Sequence, residues 1–174
     1  MTLPITTTQT VGPFFHEAWR WASDATPAQP HAADSITVSG IIRDGAGVAI
    51  NDAVIEAWLP DVAAAEQEQL LPGFRRVPSN DDGVFQITLP RPAAAAAAAG
   101  TPALYVTVFA RGLVKHQFSA VFLEDDAGLA SSPFLNQVPA ARRATLVARR
   151  AGQDAYAWDI HMQGEHETVF FDYA

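Results

Sequence analysis

The length, composition and charge of the chain exclude several classes of protein. Its 174 residues are enough for one domain. On folding, a chain of this size can bury roughly 70% of the surface that the unfolded chain exposes, so it needs no disulfides or structural metal. Because it contains no cysteine, disulfides and thiolate metal sites are excluded, and a reducing cytoplasmic location is expected. The net charge of −8 would repel a polyanion, which argues against nucleic-acid binding.

The N-terminal residues differ in composition from the rest of the chain. The opening stretch, MTLPITTTQTV, has no basic region followed by an apolar core, so we expect no cleaved signal peptide. No apolar run approaches the ~20 residues that a membrane-spanning helix requires. Threonines then lead into a Gly-Pro pair, two phenylalanines, a histidine and a tryptophan within residues 6–19. We interpret residues 1–34 as an extended N-terminal arm and linker, and residues 35–174 as a single domain.

Apolar and polar residues alternate from residue 35 onward, which is the pattern of strands with one buried face. In residues 35–44, for example, Ile36, Val38 and Ile42 share a face. The stretch 103–112 is apolar on both faces, which predicts a central strand. Similar segments occupy residues 83–90, 117–125, 144–150, 155–163 and 167–173. With turns between them, about seven or eight strands are expected, and the chain is predicted to be an all-β antiparallel β-sandwich, with a barrel as the alternative.

Three kinds of segment depart from this alternation. Residues 60–73 are rich in Ala, Glu and Gln and predict a short helix or a loop. The run Ala93–Ala99 has high helix propensity but no amphipathic face, and we interpret it as a loop extension between two strands. The basic pairs Arg75-Arg76 and Arg149-Arg150 could attract a small anion, but solvated sheet edges are the preferred interpretation.

The residues alone reveal no complete active site. No serine-nucleophile, phosphate-loop or HExxH zinc motif is present. His161 and His166 straddle a predicted turn, where exposed surface is favoured over a metal site. Phenolate and imidazole together suit ferric iron. However, Tyr156 and Tyr173 lie in predicted strands that favour packing, and Tyr105 has no histidine two residues away to share its face.

Four stretches, taken in order, carry a family resemblance that covers essentially the whole chain. They are QTVGPFF, FARGLVKH, RRATLVARR and DIHMQGEHETVFFDY. Together they resemble the intradiol ring-cleaving dioxygenases, and within that family the iron-free α chains. The resemblance implies β-sandwich α and β chains in a higher-order oligomer, in which the β chain holds a nonheme Fe(III) through two tyrosines and two histidines. It further implies that a catechol, with protocatechuate as the leading candidate, is cleaved by O₂ to 3-carboxy-cis,cis-muconate.

The resemblance also implies that this chain has lost the iron ligands. The family's histidine pair, in the motif PAHIH, falls on PALYV, so Leu104 and Val106 occupy its two positions. The two tyrosine positions fall within residues 59–74 and 88–102, and neither segment contains a tyrosine. Aliphatic side chains cannot coordinate iron, so no metal site is expected in this chain. A self-sufficient metalloenzyme with unconventional ligands is one rival hypothesis.

By the same resemblance, the N-terminal arm contacts the partner chain and lines its catechol pocket. Thr10, Gly12 and Pro13 would be the substrate-binding residues, with no catalytic residue in this chain. A threonine hydroxyl can bond a phenol or carboxylate, glycine lets backbone approach a ligand, and proline fixes the chain direction. We expect interface or core packing for Phe14, Phe15 and Trp19, and packing or a surface position for His16.

One position departs from the family pattern and bears on the substrate. Related α chains carry an arginine in the motif TRxYF, whereas Ala120 stands there in the stretch SAVFL. Either another cation meets the substrate carboxylate, or the substrate is a different catechol. A second rival hypothesis remains open, in which the chain is a non-catalytic scaffold or binding module that only stabilises an oligomer.

Overall fold

The computed structural model describes residue 10 and residues 12–25, 34–62 and 66–172. Within them, nine strands alternate with short helices. The strands are β1 (Ser35–Arg43), β2 (Val54–Trp58), β3 (Phe74–Pro78), β4 (Val84–Pro90), β5 (Leu104–Phe109), β6 (Gln117–Leu123), β7 (Val147–Arg150), β8 (Ala155–Ala157) and β9 (Ile160–His161). The α-helices are α1 (Arg20–Ala25) and α2 (Ala94–Ala99), and 3₁₀ turns occupy Pro13–His16, Leu129–Ser131, Leu135–Gln137 and Ala140–Leu146. No helix among the described residues is long and apolar enough to cross a membrane.

The strands form one mixed sheet in the order β3-β2-β5-β6-β7-β8-β1-β4, with β9 also paired to β1. Five neighbouring pairs are antiparallel, but β6 pairs with β7 in parallel, and β1 pairs in parallel with both β8 and β9. The predominance of strands confirms the predicted class, whereas the purely antiparallel arrangement was wrong. Alternation of apolar and polar residues indicates which face of a strand is buried, but it does not indicate whether the neighbouring strand runs parallel or antiparallel.

The two end strands of this order approach each other, so the sheet nearly closes. Arg75 on β3 donates from Nε to the carbonyl oxygen of Thr88 on β4 at 2.9 Å. The arrangement is therefore closer to the barrel alternative than to two separate layers. Closure encloses an apolar interior and leaves few free strand edges.

The interior is built from the alternating positions that the sequence indicates. Ile36, Val38 and Ile42 of β1 are fully buried there. Gly40, the remaining residue of that face, has no side chain because the backbone of Trp158 crosses it: a Cβ at residue 40 would lie 1.8 Å from the Trp158 carbonyl oxygen. The predicted central strand is confirmed as β5, which lies between β2 and β6.

The segment 155–163 is divided rather than one continuous strand. β8 pairs with β1 as far as residue 157 and β9 resumes the pairing at residue 160. Between them, the backbone N–H of Trp158 donates to the Ser39 carbonyl oxygen, and the Asp159 carboxylate accepts the Ile41 backbone N–H at 2.8 Å. A side chain thus replaces a strand neighbour at this point.

The predicted strand at 167–173 is also wrong over its described part, residues 167–172. Only Phe171 forms a bridge there, opposite Phe118. Hydroxyl groups satisfy much of the remaining backbone: Val169 N–H donates to Thr145 Oγ1 at 3.1 Å, and its carbonyl oxygen accepts from Ser119 Oγ at 2.9 Å. The apolar and polar residues of this segment therefore alternate because of side-chain packing, although its backbone forms no continuous ladder of strand hydrogen bonds.

The alanine run is a helix and not the loop extension expected. Alanine has the highest helix propensity, and Gly100 closes α2 in the left-handed conformation, with φ at 67° and its N–H directed to the carbonyls of Ala96 and Ala97. The helix end packs against Gly128, whose N–H donates to Ala97 O at 2.9 Å. Helix propensity, the C-terminal cap and the contact with Gly128 together stabilise a helix that has no amphipathic face. The described part of residues 60–73 contains turns and no α-helix.

Strands β2 and β3 are not among the segments predicted from alternation, because their charged residues interrupt the apolar pattern. Glu56 lies directly opposite Arg76 across the pair. Arg75 and Arg76 are only 2% and 1% exposed. The interpretation of this pair as a solvated edge was therefore wrong.

Candidate functional site

The predicted substrate-binding residues lie where the described part of the arm begins. Thr10 and Gly12 are exposed, and Pro13 begins a 3₁₀ turn that ends at His16. Gly12 precedes this turn with φ at −86° and ψ at 170°, and a Cβ at residue 12 would meet no atom of the described residues within 4 Å. The described part of the arm is thus helical from residue 13 and not extended throughout.

A buried arginine attaches the arm to the outer face of the sheet. Arg76 donates from Nη2 to the carbonyl oxygens of Phe15 at 2.9 Å and Ala18 at 3.1 Å. Its Nη1 donates to the carboxylate of Glu56 on the neighbouring strand. A charged group this buried is tolerated when it is paired and hydrogen-bonded, as here.

Aromatic rings complete the attachment. The ring of Phe15 stacks on Phe109 with centroids 4.4 Å apart, and the Arg76 guanidinium carbon lies 5.0 Å from the Phe15 centroid and 6.0 Å from that of Trp19. The packing role expected for Phe15 is confirmed. Phe14 and Trp19, in contrast, are 76% and 66% exposed in this chain.

The positions at which the resemblance places iron ligands are unsuited to a metal. Leu104 and Val106 are fully buried on the interior face of β5, among aliphatic side chains. In the loop before β3, Glu66 is occupied by an ion pair with Arg75 at 2.7 Å. No group of three or more potential ligands occurs in the part of the chain that the structure describes. Fe(III) therefore does not fit the residues present here.

The adjoining loops line a small, mostly apolar cavity of about 140 Å³. Its wall includes several prolines, with Asp61 and Arg91 as its ionisable residues. Arg91 is engaged by Asp34 at 2.8 Å and by Asp154. The cavity thus offers no set of groups that could coordinate a metal.

The position of Ala120 is sealed by aromatic packing. Ala120 is fully buried opposite Tyr105, in a second apolar cluster on the outer side of the sheet that Phe134 and Phe171 help to cover. Phe134 and Phe171 meet edge to face with centroids 4.9 Å apart. Rings therefore occupy the surroundings of the position where related chains carry a cation.

Comparison with known proteins identifies the family. The chain is 37% identical to the protocatechuate 3,4-dioxygenase alpha chain of Burkholderia cepacia and 32% identical to that of Pseudomonas putida, in each case over 98% of both chains. The chain belongs to the protocatechuate 3,4-dioxygenase alpha-chain family. The resemblance seen in the sequence motifs is confirmed, as is the expectation of a dioxygenase subunit.

Solved structures agree with this family at the level of the fold. The dioxygenase domain of a dioxygenase and carbohydrate-binding protein fusion from Streptomyces sp. SirexAA-E superposes with a TM-score of 0.57 at 15% identity, covering 83% of this chain and 86% of that one. No family model matches the sequence. The alpha-chain assignment therefore rests on the two curated relatives.

The residue that organises this alpha-chain arm could not be found by motif. Arg76 looks like one half of a surface basic pair, and its partner Glu56 lies 20 residues earlier in a strand that alternation does not reveal. The sequence contains one indication of this pair: the stretches VIEAW and FRRVP can be read as two short antiparallel strands. Facing them in antiparallel register would have set Glu56 against Arg76.

The sequence also does not reveal a second charged cluster, which lies beside β8. Tyr156 is buried, and its hydroxyl donates to the Asp125 carboxylate at 2.9 Å, as expected for a packed tyrosine with a bonded hydroxyl. Burial, followed by the contact with Asp125, raises the pKa of Tyr156. Desolvation also raises the pKa of Asp126, whose Oδ2 has no hydrogen-bond partner within the described residues.

Proposed function

We propose that this chain is the iron-free subunit of a protocatechuate 3,4-dioxygenase. A homologous beta chain supplies the Fe(III) site, and the assembled alpha/beta oligomer cleaves a catechol with O₂ to 3-carboxy-cis,cis-muconate. The alpha chain contributes no metal ligand. Its part is to hold the beta chain and to form one wall of the substrate pocket.

One observation carries the assignment of the iron to a partner. The chain belongs to a dioxygenase family, yet Leu104 and Val106, where the resemblance places histidine ligands, are buried aliphatic residues of β5. Removing them to make room for a metal would open the interior of the fold. The metal chemistry of the assembly is therefore assigned to another chain.

The arm supplies the second half of the proposal. Thr10, Gly12 and Pro13 lie beside the partner's catechol pocket, where the Thr10 hydroxyl bonds the substrate and Gly12 allows close backbone approach. The exposure of Thr10 and the open space around Gly12 support this role. Such a wall acts through positioning, so its loss lowers the rate without removing the metal.

The test is oxygen uptake by the chain co-expressed with its beta partner, using catechols with and without a carboxylate. We expect uptake with protocatechuate, and mass spectrometry should identify the ring-opened product. Ala120 stands where the family pattern has an arginine, so the complex could prefer a catechol that lacks a carboxylate. That result would change the proposed substrate but not the proposed reaction. Absence of uptake with every catechol would refute the enzyme-subunit proposal.

Arm variants distinguish the wall from a scaffold. In the active complex, Thr10→Val or deletion of residues 1–13 is expected to change KM or kcat by about tenfold, with iron content and assembly preserved. Thr37→Val on β1 makes the same isosteric change away from the arm and should leave both constants as they are. Unaltered kinetics in both arm variants would favour the scaffold hypothesis.

Metal analysis addresses the self-sufficient alternative. We expect the alpha chain purified alone to contain no stoichiometric iron, and the complex to contain iron in proportion to its beta chains. Stoichiometric iron in the isolated alpha chain, with a phenolate-to-iron absorption band, would overturn the assignment of the metal to the partner.

A further inference from the structure

We propose that Arg76 is the positioning residue of the arm, fixing the direction in which Gly12 and Thr10 leave the domain. Its effect on turnover rests on the proposed function, whereas its anchoring of the arm is a property of this chain alone. Neither the family motifs nor the predicted site residues include it.

The geometry requires a guanidinium group. One nitrogen, Nη2, donates to two carbonyl oxygens of the arm, those of Phe15 and Ala18, while Nη1 bonds Glu56. A planar fork with fixed donor directions can hold both partners at once. A lysine ammonium would keep the charge but present a single point, so it could not bond Glu56 and two separate carbonyls in this arrangement.

The anchor stands on a rigid base. Arg76 lies within β3 and Glu56 lies opposite it within β2, and both strands are paired along their length. Arg76 is 1% exposed, so its side chain has little freedom to move away from the arm. Groups built on paired strands hold their partners more accurately than groups on loops.

The arm contains a strained turn at the point where Arg76 binds it. Trp19 has φ at 57°, the one non-glycine residue with positive φ among the described residues. A bulky residue is disfavoured in this conformation and persists in it when neighbouring contacts impose it. Arg76 supplies two such contacts. It donates a hydrogen bond to the carbonyl oxygen of the preceding residue, Ala18, and its guanidinium carbon lies 6.0 Å from the centroid of the Trp19 ring.

A fixed anchor restricts where the tip of the arm can lie. Thr10 precedes Phe15 by five residues, so it can lie at most about 18 Å from the anchor. Pro13 restricts the backbone between them. Movement of the Phe15 carbonyl therefore moves the predicted pocket wall, and a displacement of about 1 Å at a reacting site can lower turnover by about a hundredfold.

The experiment compares Arg76→Lys with Arg75→Lys, its neighbour on the opposite face. In Arg76→Lys we expect hydrogen exchange at the Ala18 and Ala22 amides to accelerate about tenfold or more, since two bonds to a charged donor are weakened. In the alpha/beta complex, KM should rise and kcat should fall per bound iron. Arg75→Lys should lower thermal stability but leave KM and the exchange of the arm as in the wild type.

The readouts separate positioning from a merely structural role. Loss of folded protein would lower the total rate and leave KM unchanged, so it would not reproduce the expected result. If Arg76→Lys folds poorly, the double change Glu56→Gln with Arg76→Gln removes both charges together and still breaks the carbonyl bonds; the same kinetic and exchange effects are expected.

Two results would overturn the inference. Unchanged arm exchange in Arg76→Lys would show that the arm is held by other contacts. Faster exchange with unchanged KM and kcat would show that anchoring does not position the pocket wall. An inactive wild-type complex would instead refute the proposed function, while the exchange rates would still decide whether Arg76 anchors the arm.

Discussion

Two neighbouring arginines on β3 serve opposite faces of the same sheet. Arg75 lies opposite Ala57, an interior residue, and bonds Glu66 and the Thr88 carbonyl, so it ties β3 to the preceding loop and to β4. Arg76 lies opposite Glu56 on the outer face and holds the arm. The same type of side chain therefore has two roles: Arg75 stabilises the fold on one face of β3, and Arg76 attaches the arm on the other.

The difference between these regions is one of cooperativity. The interior joins strands that are distant in sequence, so its contacts are lost together when the domain unfolds. The arm is held on the outer face through two carbonyls, one ring stack and the buried Ala22. A segment held on the outer face of a sheet can open locally at a lower free energy than global unfolding. Changes in the interior should therefore act on the whole domain, and changes in the arm attachment mainly on the arm.

The largest effect is expected from Gly40→Ala in the interior. The new Cβ would overlap the Trp158 carbonyl oxygen, which belongs to backbone and cannot rotate away. We expect the free energy of unfolding to fall by about 3 kcal/mol and Tm by about 6–12 °C, measured by urea and thermal denaturation. Gly12→Ala, which meets open space, is the matched control and should leave Tm unchanged; equal Tm values for the two variants would contradict the comparison.

A smaller loss is expected from Glu66→Gln at the margin of the interior. The change leaves the buried Arg75 guanidinium without a carboxylate, and we expect a loss of about 2–3 kcal/mol in the free energy of unfolding. Glu68→Gln, an exposed residue of the same loop, provides the control and should be neutral. Equal denaturation midpoints for the two variants would show that the Glu66 pair does not stabilise the fold.

On the outer face, Phe15→Ala tests whether the arm opens separately. The variant loses the stack on Phe109 and the contact with Arg76, together about 1–2 kcal/mol. We expect that loss to appear as faster exchange of the Ala18 and Ala22 amides, with little change in Tm. Phe14→Ala removes an exposed ring beside it and should alter neither. A drop in Tm without faster exchange would mean that the arm and the interior unfold together.

The sequence predicted the interior better than the outer face. Burial of Ile36, Val38 and Ile42 follows from a period of two that needs no knowledge of partners. The pairing of Glu56 with Arg76 depends on the register between two strands, which no local pattern of charges contains. Buried ion pairs look like solvated surface in a sequence, so the residue that anchors the arm was assigned to an exposed edge.

The smallest effect is expected from Asp126→Asn, at the boundary between the interior and solvent. Asp126 follows β6, its N–H donates to the Leu123 carbonyl oxygen, and desolvation raises the pKa of its carboxyl above the usual 3.8. The folded state then binds this proton more tightly than the unfolded state. The stability that results is fully present below the unfolded pKa and is lost as pH rises through the folded pKa.

Asn cannot lose a proton, so the free energy of unfolding of Asp126→Asn should decline less across that pH range than that of the wild type. The difference should be small, because Asp126 is only half-buried and water screens its charge. Urea denaturation at a series of pH values measures it, with Asp81→Asn at an exposed turn controlling for the loss of one negative charge. A steeper decline in Asp126→Asn would mean that the carboxylate is stabilised in the folded state, and that this boundary behaves like the paired charges of Arg75 and Arg76 instead of like a desolvated group.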